Sequence, residues 1–357
     1  MIDIDGKKYE INRKTAIVTN WDKIYCNILK RILKKGELCK NRTGIDTLSI
    51  EGVYFKLDVG KSFPILETKK VALANTITEL LWIYQAQTND VKWLHDRQNH
   101  IWDDWMIDDD GIYRIYEPYI NENKKNIVKV KDIYGNDTNL TASSLKENRT
   151  IKEAIYYGPE YAHTIGTAYG YVVKETKEFD NVLYSLKNNP TSRRNVVSLR
   201  QANLLKTGVL EPCVWASTYK VSNGKLNINV DVRSNDMPIG NPFNVTQYAI
   251  LLSLLAKVSN LEVGNLNWTI SDCHIYVNQL EQIKLQLNRF DKLLKWESFI
   301  KNNDDKEIIK EYKKILESSD IEELMTLKHL IIRENPELYL SNKDNFYEFD
   351  NKKENED

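Results

Sequence analysis

Apolar residues recur at helical spacing in the segment "VALANTITELLWIY". Leu73, Ile77, Leu80 and Tyr84 are three or four residues apart, which places them on one face of an α-helix. Glu79 lies within the same apolar run. The pattern therefore predicts a buried helix that carries one carboxylate.

A second apolar run, "NVTQYAILLSLLAKV", has the same spacing and predicts a core helix that begins near Asn244. Two interpretations of Asn244 are open. An Asn at a helix start with Gln247 three residues later fits a capping box. Alternatively, an amide in the polar stretch "RSNDMPIGNPFN" could read the edge of a heterocycle.

Period-two alternation in the segment "LNINVDV" is typical of a β-strand with one buried side. The strand-like "TYKV" precedes it, and Asn223-Gly224 between them is a strong hairpin signal, so we predict a β-hairpin. In the extended segment "DCHIYVNQ", His274 and Tyr276 are two residues apart and share one side.

Two long segments are polar. Residues from about 107 to 160 are rich in Lys and Asn with little periodicity, and we expect a surface insertion there. A second insertion is expected at about 292–333, which is charged and helical in pattern, and "YEFDNKKENED" is typical of a solvated tail. Interleaved strands and helices predict an α+β fold in which residues 1–357 form a single domain around one main core.

The charge balance limits the classes of partner. Lys and Arg number 50 and Asp and Glu number 51, so no overall basic field would attract nucleic acid or an acidic membrane. No apolar stretch reaches the roughly 18 residues of a membrane span, and "MIDIDGKKYEINRK" lacks the apolar run of a signal peptide. We therefore expect a cytoplasmic protein in which any phosphate site is local.

The four cysteines are Cys26, Cys39, Cys213 and Cys273, with no CxxC pair or His-rich spacing. We therefore expect four free thiols, no zinc site and no other metal. Cys213 can be a small buried core residue or a nucleophile. The nucleophile hypothesis depends on Arg233, because the hairpin returns the chain to the cysteine and a nearby cation stabilises a thiolate.

Arginines precede two strand-like runs. Arg193 and Arg194 lie side by side in "NPTSRRNVV", and Arg42 lies in the turn "KNRTGIDT". Paired guanidiniums suit a phosphate monoester, although simple surface exposure is the alternative for each of them. Trp102 and Trp105 in "HIWDDW" offer a stacking surface for an aromatic ligand or belong to the core.

Motifs along most of the chain resemble those of the thymidylate synthase family. In the family's order they are "NRTGIDTLSI", "FPILETKK", "ELLWI", "IWDDW", "TIGTAYG", "LKNNPTSRR", "EPCV", "RSNDMPIGNPFNV", "DCHIY" and "LQLNR". The Pro-Cys-Val motif, together with "RSND" and "GNPFNV", is similar to a minority branch found in some bacteria and phages. The resemblance implies a large mixed β-sheet flanked by helices.

The resemblance also implies catalytic roles. Cys213 would add to C6 of the pyrimidine of dUMP, and C5 would then capture the one-carbon unit of 5,10-methylenetetrahydrofolate, a co-substrate that also supplies a hydride. Glu79 and Tyr169 would organise proton transfer at C5 and O4. Arg233 and Asp236 complete the implied catalytic set.

The resemblance implies two groups of binding residues. For dUMP, Asn244 would read the O4/N3 edge, His274 and Tyr276 would bond the 3'-hydroxyl, and the phosphate would be held by Arg42, Arg193, Arg194, Arg233 and Ser234. For folate, the implied residues are Ile101, Trp102, Asp236 and Gly240, with Lys69 at the glutamate tail. In this family the twin arginines come from the partner subunit, which implies an obligate homodimer.

Departures from the family's pattern leave two other functions open. Arg200-Gln201 replaces the usual Trp-Asn, and Thr218 replaces a usual Gln. The ending "FYEFDNKKENED" lacks the short apolar peptide that closes over bound folate. Because water can trap the methylene intermediate of an open site, a dUMP hydroxymethylase is one alternative. A non-catalytic nucleotide-binding relative is the other.

Overall fold

The computed structural model describes residues 1–118, 126–146 and 148–350. Its α-helices are α1 (Asn20–Lys35), α2 (Leu73–Tyr84), α3 (Lys92–His95), α4 (Gly170–Thr176), α5 (Glu178–Asn188), α6 (Gly240–Val258), α7 (Leu280–Asn302), α8 (Asp305–Ser318) and α9 (Ile321–Ile332). Its strands are β1 (Ile2–Ile4), β2 (Lys7–Tyr9), β3 (Glu37–Cys39), β4 (Thr47–Asp58), β5 (Ile112–Tyr116), β6 (Ile127–Asp132), β7 (Asp137–Ser143), β8 (Ile151–Tyr156), β9 (Val196–Ser198), β10 (Val214–Ser222), β11 (Lys225–Asp236) and β12 (Glu262–Tyr276).

A six-stranded mixed sheet occupies the centre of the molecule, in the order β3–β4–β12–β11–β10–β9. β11 and β12 are parallel, and the other neighbouring pairs are antiparallel. Alternate residues of each long strand are buried, and α1 and α6 pack on the buried face. The α+β fold with a large mixed sheet is therefore confirmed.

The predicted hairpin is present as β10 and β11. Asn223 and Gly224 form its two-residue turn with φ values of 50° and 74°, and Ser222 pairs with Lys225 on either side. Both central residues of a type I′ turn need a positive φ, which Asn and Gly tolerate best. This hairpin brings the two ends of the "EPCV…RSND" region together.

The two predicted helices are present as α2 and α6, but the predicted start of α6 was wrong. The helix begins at Gly240, four residues before Asn244, and Ile239 is its N-cap. Pro242 falls in the first turn, where a missing backbone N–H costs nothing because the first four N–H groups have no helical partner. The capping-box interpretation of Asn244 is therefore wrong. No helix in the described ranges has both the length and the apolar character needed to cross a bilayer.

Residues 107–160 contain regular structure that the sequence analysis did not predict. β5 to β8 form a second sheet in the order β5–β8–β6–β7, with a small core made of Ile112, Val130, Ala142, Ile151 and Ala154. Each strand contributes only one or two apolar residues to this core, which is why the alternation was too weak to recognise. The expectations for 119–125 and 147 lie outside the described residues.

The C-terminal region also differs from expectation. Phe346 and Phe349 are buried, and the ring of Phe346 packs 5.0 Å from that of Phe179 on α5. The side-chain amide of Gln85, at the end of α2, donates to the carbonyls of both phenylalanines. The segment is therefore not wholly solvated and does contain apolar anchors; residues 351–357 lie outside the described part.

Candidate active site

Cys213 lies half-buried directly before β10, and its contacts confirm that the hairpin returns Arg233 to it. The backbone N–H of Arg233 donates to the carbonyl of Cys213 at 2.9 Å. The guanidinium donates to the two preceding carbonyls, through Nε to Pro212 at 3.0 Å and through Nη2 to Glu211 at 2.7 Å. The arginine therefore holds the peptide that carries the thiol.

Opposing effects act on the pKa of the Cys213 thiol. Burial is the largest and raises the pKa above its ordinary value, and Asp236 and Asp272 act in the same direction. Arg233 and Arg42 favour the thiolate and partly offset these effects. The group is therefore a thiol in the ligand-free protein, with two cations near enough to stabilise a thiolate. All four cysteines are free, as expected.

Tyr169 lies near both the thiol of Cys213 and the carboxyl of Glu79, the residue predicted on α2. Its pKa is raised well above the ordinary value, first by burial and then by Cys213 and Glu79, while a hydrogen bond with the Cys213 backbone lowers it. Tyr169 has φ 48° and ψ −107°, an unusual conformation for a residue with a side chain. Gly170 follows because a Cβ there would lie 2.1 Å from the carbonyl oxygen of Thr88.

Glu79 is a buried carboxyl with two neutral hydrogen-bond donors. Trp102 Nε1 donates to one oxygen at 2.7 Å and Gln247 Nε2 donates to the other, also at 2.7 Å. These bonds favour the ionised form, but burial outweighs them and raises the pKa of Glu79 to about 7. A carboxyl with this pKa can give or take a proton near neutral pH.

The contact of Gln247 with Glu79 was not predicted, because the sequence indicated Gln247 only as a helix-cap partner of Asn244. Positions three apart on a helix lie on the same face, so the spacing could have placed Gln247 beside Asn244, but it could not have identified Glu79 on α2 as its partner.

Three amides form a chain beside Gly240. Asn241, fully buried, donates through Nδ2 to Asn235 Oδ1 at 2.7 Å, and Asn235 Nδ2 lies 3.5 Å from Asn244 Oδ1. The second contact is long, but it places the Asn244 oxygen towards Asn235 and leaves its Nδ2 to donate elsewhere. This geometry favours the amide-recognition interpretation of Asn244.

A second carboxylate, Asp272, contacts both Ser234 and His274, two predicted ligand-binding residues. This link between them was not predicted from the sequence. Asp272 accepts from Ser234 Oγ at 2.7 Å and pairs with His274 Nδ1 at 3.0 Å, and Ser49 Oγ donates to it as well. Despite partial burial, these donors hold its pKa well below the ordinary value. The rings of His274 and Tyr276 lie 5.2 Å apart in the same strand, β12. Period-two spacing in "DCHIY" was the signal that could have placed Asp272 with them.

The predicted folate-contacting residues surround the same region. Asp236 accepts from the Ile239 backbone and from Gln279, and burial raises its pKa. Lys69 donates to the Pro238 carbonyl, lies near enough to Asp236 to interact with it, and has a pKa lowered by burial. Trp102 is buried with its ring 5.3 Å from that of Tyr169, and Ile101 packs partly buried beside it. A Cβ on Gly240 would contact the Asn235 and Asn244 amides at 3.6–3.7 Å.

Arg193 and Arg194 are exposed and lie apart from this cluster within the chain. They precede β9, which pairs with β10 from Val196 opposite Thr218 to Ser198 opposite Ala216. Arg194 is thus level with Lys220, seven strand residues from Cys213, which corresponds to about 23 Å. These two arginines therefore lie outside the cluster that the structure forms around Cys213, Glu79 and Asp272.

Comparisons with known proteins identify the family of this chain. The family model described as thymidylate synthase matches residues 23–323. Among curated relatives, the thymidylate synthase of Clostridium beijerinckii is 34% identical, covering 75% of this chain and 82% of the relative. That of Mycoplasma mobile is 36% identical, covering 74% and 84%. The solved structure of thermostable thymidylate synthase A from Bacillus subtilis superposes with a TM-score of 0.57 at 31% identity, covering 76% and 85%. The chain belongs to the thymidylate synthase family.

Proposed function

We propose that this enzyme methylates dUMP reductively to dTMP with 5,10-methylenetetrahydrofolate, and is thus a methyltransferase. One observation carries the proposal: a half-buried thiol held by an arginine, a carboxyl with a pKa of about 7 and an oriented amide lie in one cluster of a chain from this family. Each of the three groups has a distinct task at the pyrimidine ring.

The thiol of Cys213 is the proposed nucleophile. When its sulfur adds to C6, the electron pair of the C5–C6 bond shifts towards O4, and C5 becomes reactive. The free Nδ2 of Asn244 would donate to O4, where negative charge develops. Tyr169 and Glu79 would manage the protons at C5 and O4, because Glu79 can exchange a proton near neutral pH. Arg233 and Arg42 favour the thiolate that attacks.

The other end of dUMP matches the Asp272 part of the cluster. Arg42, Arg233 and Ser234 would bind the 5'-phosphate, and His274 with Tyr276 would bind the 3'-hydroxyl. Asp272 would position Ser234 and His274, since it already contacts both. Its role is therefore positional rather than catalytic.

The side chains of Asp236, Trp102 and Lys69 have the chemistry needed to bind a folate. The partly buried Asp236 carboxylate offers acceptors to the amino and N–H edge of a pterin. Trp102 offers an aromatic face beside Ile101, and Lys69 offers a cation to a glutamate carboxylate. Gly240 keeps the wall beside Asp236 and Asn244 free of a side chain. When bound, the folate supplies the one-carbon unit and the hydride.

A homodimer is part of the proposal. Within the described ranges, no helix covers the second face of the central sheet, where Tyr54 and Trp215 are exposed. Thr269 of β12 lies between Tyr54 and Asp231 on this face. A second copy packed on it would bury these aromatic residues and could bring Arg193 and Arg194 to the phosphate site of its partner. The expected cytoplasmic location stays a prediction.

The test is incubation of the purified protein with dUMP and 5,10-methylenetetrahydrofolate. Dihydrofolate is followed by absorbance, and the nucleotide product is identified by mass. We expect dihydrofolate together with dTMP. Hydroxymethyl-dUMP without dihydrofolate would contradict the proposal in favour of a hydroxymethylase, and dUMP binding without any product would favour a non-catalytic relative.

A further inference from the structure

We propose that His95, His100 and Asp103 form a binding site for a divalent transition-metal ion such as Zn²⁺. His95 is the last residue of α3, and His100 and Asp103 lie in the turn and short 3₁₀ helix that follow. One donor atom from each residue lies within 4.8 Å of the other two. The two imidazole rings are stacked with their centroids 4.8 Å apart.

The carboxylate already holds both imidazoles in position. One oxygen of Asp103 lies 2.7 Å from His95 Nε2, and the other lies 3.1 Å from His100 Nδ1. Ligands at about 2.0–2.1 Å from a zinc ion are themselves roughly 3 Å apart, so both carboxylate–imidazole distances suit a common ion. A common ion would draw the three donor atoms together from their present separations of up to 4.8 Å, and His100, whose side chain is 63% exposed, is the least buried of the three residues.

The donor set selects the class of ion. Two imidazole nitrogens and one carboxylate suit zinc and other transition metals, whereas Mg²⁺ and Ca²⁺ prefer all-oxygen sites. All three side chains are partly exposed, which leaves the remaining coordination positions to water. The site therefore differs from the cysteine-based zinc motifs that the sequence analysis considered, and no other group of this kind occurs among the described residues.

The proposed metal site lies next to Trp102, a residue of the candidate active site. Trp102 lies between His100 and Asp103 in the chain, and its Nε1 donates to Glu79. A bound ion would fix the turn that directs Trp102 towards this carboxyl. This consequence rests on the proposed function, whereas ion binding itself does not.

The experiment titrates chelator-treated protein, without dUMP or folate, with Co²⁺ and then with Zn²⁺ in competition. We expect visible d–d absorption that saturates at one ion per chain and disappears on addition of Zn²⁺. A near-ultraviolet sulfur-to-cobalt charge-transfer band should be absent, because no thiolate takes part. Zn²⁺ should also raise the melting temperature, since the ion binds the folded protein.

Three variants separate this site from adventitious binding. His95→Gln and Asp103→Asn should each weaken Zn²⁺ binding by at least about tenfold and remove the rise in melting temperature. His163→Gln is the matched control, because His163 pairs with a single carboxylate, Asp109, and it should bind like the wild type. Circular dichroism checks that all three fold.

Three results would overturn the proposal: no saturable binding by the wild type, a thiolate charge-transfer band, or unchanged affinity in folded His95→Gln and Asp103→Asn. Because no substrate is present, these results are independent of whether dTMP is formed.

Discussion

Glu79 and Asp272 are carboxyl groups on opposite sides of the same cluster, and their pKa values move in opposite directions. Both receive hydrogen bonds, yet Glu79 has only neutral donors and is buried, so its pKa rises to about 7. Asp272 is half-exposed, accepts from two hydroxyls and pairs with an imidazole, so its pKa falls. Burial therefore decides which carboxyl can exchange protons and which one holds other groups in place.

The largest expected effect comes from Glu79→Gln. If Glu79 moves protons, kcat should fall by roughly 10²- to 10⁴-fold while KM for dUMP changes little, because an amide keeps the shape but cannot titrate. Steady-state kinetics at several pH values measures this. A kcat within threefold of the wild type would remove Glu79 from the proton-transfer role.

The same substitution should change the dependence of stability on pH. Glu79 has a folded-state pKa of about 7, above its ordinary 4.5. Below pH 4.5, Glu79 is protonated in both the folded and the unfolded state, so its burial does not change the free energy of unfolding. As pH rises from 4.5 to about 7, the carboxyl ionises first in the unfolded chain, and the folded state loses stability. The loss should reach about 3 kcal/mol above pH 7, at 1.36 kcal/mol per pKa unit. Urea unfolding of wild type and Glu79→Gln from pH 5 to 8 should show this loss only in the wild type. A parallel pH dependence in the two proteins would contradict it.

A smaller effect on the kinetics is expected from a change at Asp272. Asp272→Asn should raise KM for dUMP about tenfold with a lesser change in kcat, because Ser234 and His274 lose a charged acceptor worth about 1.5 kcal/mol. Asp137→Asn, in the second sheet and outside the cluster, is the matched control. A fall in kcat at constant KM would mean that Asp272 acts on chemistry rather than on positioning.

The substitution Asn244→Asp tests whether this residue recognises the pyrimidine base. A carboxyl in place of the Nδ2 donor should disfavour uracil O4 and favour the amino group of cytosine. The ratio of kcat/KM for dCMP to that for dUMP should rise at least about tenfold. An unchanged ratio, measured with both nucleotides, would show that Asn244 does not read this edge.

The sequence predicted elements whose signals are local. The hairpin follows from Asn223-Gly224 and period-two alternation, and α2 from its apolar spacing. The predicted start of α6 was wrong because the first turn of the helix contains Gly240 and Pro242, which weaken the apolar pattern before Asn244. The second sheet was missed because each of its strands contributes only one or two residues to its core.

The site was predictable mainly as a set of residues in a familiar order, whereas its contacts depend on packing. Gln247 reaches Glu79 across 168 residues of chain, and only the docking of α6 on α2 brings them together. Asp272 meets Ser234 because β11 and β12 pair in parallel, a register that neither strand specifies alone. Long-range contacts of this kind leave no periodic signal in the sequence.

The central claim is that Cys213 activates C5 of dUMP by covalent addition at C6. The most direct measurement is release of tritium from dUMP labelled at C5, by the wild type and by Cys213→Ser, with dUMP binding measured in parallel. We predict that the wild type releases tritium in step with dihydrofolate formation, and that Cys213→Ser binds dUMP but releases none above background. Release at the wild-type rate by Cys213→Ser would contradict the claim.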